Sequence, residues 1–96
     1  MSRARIEKKL TQVSDELRSA RTEVKVLDEQ IAHFADGADD ARLRALVAET
    51  PLADREHRDA ARTVAALHKD RTVWVERISR LESRQDDLLD QLLEMS

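Results

Sequence analysis

The stretch LHKDRTVWVERISRL, residues 67–81, decides the fold, because its inward residues recur at intervals of four and three. The same alternation extends from residue 53 to residue 95 without a break. This spacing keeps one face of a helix on a single line, which is the heptad pattern of coiled coils. We call these positions the seam of the C-terminal half: Ala53, His57, Ala60, Val64, Leu67, Arg71, Trp74, Ile78, Leu81, Gln85, Leu88, Leu92 and Met95.

The N-terminal half carries a seam of the same kind. Its spacing also alternates between four and three, and it predicts a first helix over about residues 3–35. The seam residues are Ile6, Leu10, Val13, Leu17, Ala20, Val24, Leu27, Ile31 and Phe34.

Two breaks are predicted between these halves. In ADGADD, residues 35–40, Gly37 is expected to end the first helix and Asp39 to cap a short helix over about residues 39–49. Thr50 and Pro51 are suited to the cap and first position of a long helix over about residues 51–95. Residues 1–96 are therefore expected to form a single helical-hairpin domain. The short helix would present one apolar face, which consists of Leu43, Leu46 and Val47.

The distribution of charge favours an antiparallel pairing. Residues 1–9 are mainly basic, and residues 86–96 contain four acids and no base. Each cluster lies at the unfavourable end of its own helix dipole, so an antiparallel hairpin that joins the clusters is favoured. The expected fold is all-α: an antiparallel two-helix coiled coil with a short helix at the loop end.

Apolar residues outside the seam indicate a second interface. Val73 and Val75 flank Trp74, and Leu89 and Leu93 also lie off the seam. A lone hairpin would leave these side chains exposed, so we expect assembly into a helical-bundle homodimer. Aromatic residues dominate interface hot spots, which makes Trp74 the expected anchor.

Three seam positions of the C-terminal half are polar: His57, Arg71 and Gln85. Such residues could hold a small anionic ligand or a carboxylate of a partner. A polar residue in a seam more often specifies the register of pairing at some cost in stability. We favour the role in register, and no cofactor is expected.

Composition and motifs argue against several functions. The chain has no cysteine, and its three histidines lack the spacing of metal ligands, so neither a metal site nor catalytic residues are expected. The net charge of −3 gives no general attraction to nucleic acid. No apolar run is long enough to span a membrane, and a cytoplasmic location is expected.

The sequence thus predicts a non-catalytic coiled-coil interaction or adaptor protein, which self-associates and docks another macromolecule. Two alternatives remain. One is a transcription regulator that binds a sigma factor or RNA polymerase. The other is a nucleic-acid-associated protein that uses the basic N-terminus, although residues 86–96 could neutralise that charge.

Overall fold

A computed structural model describes residues 2–96, which form two long α-helices and no strand. Helix α1 comprises Arg3–Ala48, and helix α2 comprises Pro51–Glu94. Two long helices joined by two residues are consistent with a helical hairpin. The predicted all-α class is confirmed.

The predicted end of the first helix at Gly37 is wrong. Helix α1 passes through Gly37, whose φ is not positive, and the expected short helix over residues 39–49 forms its last turns. A glycine inside a helix costs only about 1 kcal/mol relative to alanine. Ala38 is half-buried and Ala41 is buried beyond the glycine, so packing offsets that cost.

The turn between the helices consists of Glu49 and Thr50. Glu49 has a φ of 51°, the left-handed conformation that commonly follows a helix, and its backbone N–H donates to the carbonyl of Ala45 at 3.2 Å. The Thr50 hydroxyl oxygen accepts a hydrogen bond of 3.2 Å from the backbone N–H of Ala53. Thr50 is therefore the N-cap of α2, and Pro51 is its first residue, as predicted.

The chain forms two compact units. Unit 1 consists of the residues up to Val24 together with Val73–Ser96, and unit 2 consists of Lys25–Thr72. In unit 1 the core draws on both predicted seams, so the spacing identifies its inward residues correctly. Its buried members are Ile6, Val13, Leu17, Ala20, Leu81 and Leu88, against which Leu10, Trp74, Ile78 and Leu92 pack.

The core of unit 2 contains fewer buried apolar residues than the core of unit 1. Leu27, Ala41 and Ala53 are buried, and the α2 seam from His57 to Arg71 is half-buried. Most of the inward α1 positions here are alanines, so little apolar surface is removed from water. The half-buried or buried alanines of α1 in this unit are Ala35, Ala38, Ala41 and Ala45.

Two predicted seam residues are exposed. Phe34 is 43% exposed, and Ala35 takes the inward position next after Ile31. A straight helix has 3.6 residues per turn and drifts about 20° per heptad, so one interval of four in place of three restores the inward face. Met95 lies beyond the end of α2 at Glu94, and its side chain is exposed.

Candidate interaction surfaces

The apolar residues predicted to lie outside the seam of α2 are exposed. Val75 and Leu89 are fourteen residues apart and occupy the same position of the seven-residue repeat. Leu93 follows Leu89 by one helical turn on the same side and is 72% exposed. We call Val75, Leu89 and Leu93 the C-terminal apolar flank. Val73 is also exposed, but it lies on the other side of the seam.

Trp74 packs against the core of unit 1 and is half-buried there. The guanidinium carbon of Arg77 lies 6.0 Å from the centroid of its ring, within the range of a cation–π interaction. The Trp74 ring therefore makes its apolar contacts within unit 1. Its use as an anchor for a partner stays a prediction.

A charged pair interrupts the C-terminal apolar flank. Glu82 shares the heptad position of Val75 and Leu89, and its Oε2 lies 3.8 Å from Nη2 of Arg21 on α1. The pair is exposed and contributes little to stability. A partner bound along the whole flank must therefore accommodate both charges at its centre.

The three polar seam residues differ in their partners. Nε of Arg71 donates a hydrogen bond of 2.6 Å to Oδ1 of Asp28 within unit 2. Nε2 of Gln85 donates one of 3.4 Å to the hydroxyl oxygen of Ser14 within unit 1. Nδ1 of His57 is buried and has no hydrogen-bond partner among the described residues. Two of these residues thus bond from α2 to α1, which favours a role in setting the register.

An open groove lies beside the turn in unit 2. Its volume is about 410 Å³, and its apolar lining includes Leu43, Val47 and Leu52, which are 53%, 86% and 63% exposed. Arg44 of α1 and Glu56 of α2 line the same groove. We call these five residues the turn-end groove.

Sequence reasoning assigned Leu43 and Val47 to the face of a separate short helix and did not single out Leu52 or Glu56. The groove arises because α1 continues to Ala48 and a two-residue turn follows. That turn brings the start of α2 beside the last turns of α1. Only Leu52 carried a signal in the sequence, because it lies off the α2 seam and two residues after the predicted cap Thr50.

A smaller groove of about 190 Å³ lies in unit 1 and is lined by Ile6, Gln91, Glu94 and Met95. Glu94 of the acidic cluster therefore lies close to the basic segment that contains Ile6. Within that segment, Nε of Arg3 lies 3.0 Å from Oε1 of Glu7. Met1 of the predicted basic N-terminus lies outside the described residues.

Residues 2–96 contain no group of three or more His, Asp or Glu side chains placed to hold a metal ion. Neither helix, over the same residues, has an apolar stretch that could cross a membrane. Comparisons with protein-family models, curated proteins and solved structures found no match to this chain.

Proposed function

We propose that this chain is a non-catalytic coiled-coil interaction protein, which self-associates and docks another protein. The proposal rests on one observation: the described residues leave more large apolar side chains exposed than they bury in the core. Among the described residues, eleven large apolar side chains are exposed and nine apolar residues are buried, of which three are alanines. Leu89 and Leu93 lie one helical turn apart, and Leu43, Val47 and Leu52 line one groove, so part of this surface forms local apolar patches. Such patches on a small protein commonly mark an interaction site.

We also infer an antiparallel coiled coil. In unit 1, Ser14 pairs with Gln85 and Arg21 pairs with Glu82, so the position on α2 falls as the position on α1 rises. The four-three spacing of both seams and the polar pairs between the helices support this arrangement.

The C-terminal apolar flank is the proposed docking surface for another protein. Complete burial of a fully exposed Leu side chain contributes about 1.5–3 kcal/mol, so Leu89 and Leu93, which are 44% and 72% exposed, would each contribute part of that to a complex. Residues 85–96 contain four acids and no base. A helix with an apolar stripe and basic borders would complement this surface in shape and charge.

Binding of nucleic acid has less support. It would depend on the basic side chains of residues 3–9, and Glu94 lies at the groove that contains Ile6. A nearby carboxylate reduces the attraction of such a segment for phosphate.

The self-association is tested by light scattering coupled to size exclusion over a range of concentrations, at low and high salt. We expect the mass to approach twice the 11.0 kDa of the chain as concentration rises, and to persist in high salt because apolar contacts are not screened. A monomer at every concentration would contradict the proposed self-association.

The docking surface is tested by affinity capture with the double variant Leu89→Glu/Leu93→Glu. The matched control is Gln91→Glu, which adds a carboxylate on the same helical turn without removing an apolar side chain. We expect a protein captured by the wild type to be retained by Gln91→Glu and lost with the double variant. Equal capture by both variants would show that the flank is not the docking surface.

A further inference from the structure

The turn-end groove carries two charges of opposite sign, one from each helix. Arg44 lies on the last turns of α1 and Glu56 on the second turn of α2. Neither forms an ion pair with another described residue. Both are therefore available to an external partner that carries one acid and one base.

The apolar part of the groove is also suited to contact with the same groove of a second copy. Val47 is 86% exposed and projects from a surface that also contains an open volume of about 410 Å³. A two-fold contact brings the same patch of two copies together, so each copy offers both a projection and a recess.

We propose that a second copy of this chain occupies the turn-end groove in a two-fold contact. In this contact Arg44 of each copy pairs with Glu56 of the other, and Val47 and Leu52 are removed from water. The inference rests on the proposed self-association and names the surface that produces it.

Charge favours this surface over the C-terminal apolar flank for contact between copies. The flank is followed by Asp90 and Glu94, and no base occurs in residues 85–96. Two copies that met at Leu89 and Leu93 would place their acids together, which is unfavourable. The turn-end groove has no such conflict, because a base on one copy meets an acid on the other.

The contact involves few side chains, so it belongs with small, reversible interfaces rather than obligate ones. We expect exchange between monomer and dimer at concentrations on the order of micromolar. Each dimer would contain two Arg44–Glu56 ion pairs. A substitution that reverses the charge of one residue in each pair should weaken dimerisation by about tenfold.

The test uses the single variants Arg44→Glu and Glu56→Arg, alone and mixed in equal amounts. Each R44E copy offers two acids at the groove and each E56R copy offers two bases, so each variant alone should dimerise about tenfold more weakly than the wild type. Mixed together, they should form a heterodimer at least as readily as the wild type forms its dimer. Sedimentation velocity measures the masses, and circular dichroism verifies that each variant is folded.

Val47→Glu is the second variant. The side chain is exposed in the monomer, so the substitution leaves folding intact and should abolish dimerisation. Gln91→Glu, which lies in unit 1, should dimerise as the wild type does.

The outcomes separate this inference from the proposed function. A wild type that stays monomeric overturns both. A wild-type dimer that persists in Val47→Glu, or variants whose mixture gains nothing over either alone, overturns the groove contact and leaves self-association standing. Heterodimer formation from two weakened variants supports the reciprocal pairing of Arg44 and Glu56.

Discussion

Nε of Arg71 lies 2.6 Å from Oδ1 of Asp28, and the bond joins a seam position of α2 to α1 within unit 2. The two side chains are 40% and 51% exposed. Water therefore still reaches both charges, so the pair is expected to contribute little to stability, and its role in setting the register stays a prediction.

This partial exposure predicts a small coupling energy between Arg71 and Asp28. In a double-mutant cycle with alanine at both positions, we expect a coupling of about 0.2–1 kcal/mol in the free energy of unfolding. Arg71→Leu alone should leave stability unchanged or raise it, since an apolar side chain suits a half-buried seam position. Urea denaturation monitored by circular dichroism measures both. A loss above about 2 kcal/mol for Arg71→Leu would show that the ion pair is a major source of stability.

Gly37 gives the sharpest test of the continuous α1 helix. Its φ is not positive, and a Cβ added there would meet no atom within 4 Å. Gly37→Ala should therefore raise the free energy of unfolding by about 1 kcal/mol and the Tm by roughly 4–8 °C.

Thermal denaturation of Gly37→Ala and of the reciprocal control Ala32→Gly checks this expectation. Ala32 is exposed on the same helix, so its substitution should lower stability by about 1 kcal/mol. If Gly37 closed a helix in the left-handed conformation, Gly37→Ala would destabilise the protein instead.

At Glu49, in the turn, a change to glycine rather than away from it should stabilise the protein. Its φ of 51° is costly for a residue with a Cβ and free of that cost for glycine. Glu49→Gly should raise the free energy of unfolding by about 0.5–1 kcal/mol, and the β-branched variant Glu49→Val should lower it. Chemical denaturation of the two variants provides the measurement. Destabilisation by glycine would contradict the left-handed conformation.

Core and surface leucines should differ strongly. Leu17 is 1% exposed in the core of unit 1, so Leu17→Ala should cost about 2–5 kcal/mol. Leu93→Ala removes the same atoms from an exposed position and should change the free energy of unfolding by less than about 0.5 kcal/mol. Comparison of the two urea midpoints checks both values. Equal losses would mean that Leu93 is buried in the protein in solution, as it would be in a dimer formed through the flank.

The candidate sites were only partly accessible from the sequence. Val75, Leu89 and Leu93 lie off a regular seam, so the spacing predicts that a single chain leaves them exposed, and they are exposed in the structure. Their use as a second interface stays a prediction. The turn-end groove was not predicted, since Leu43 and Glu56 are thirteen residues apart on different helices. Only the two-residue turn brings them to one surface.

The sequence by itself determined what depends on local periodicity and local hydrogen bonding. The α2 seam from Ala53 to Leu92 is buried or half-buried throughout, and Thr50 caps the helix that Pro51 begins. Only the tertiary structure decided that α1 passes through Gly37 and turns Ala35 inward in place of Phe34. A glycine inside a helix costs about 1 kcal/mol, and whether that cost is offset depends on packing against residues distant in the sequence.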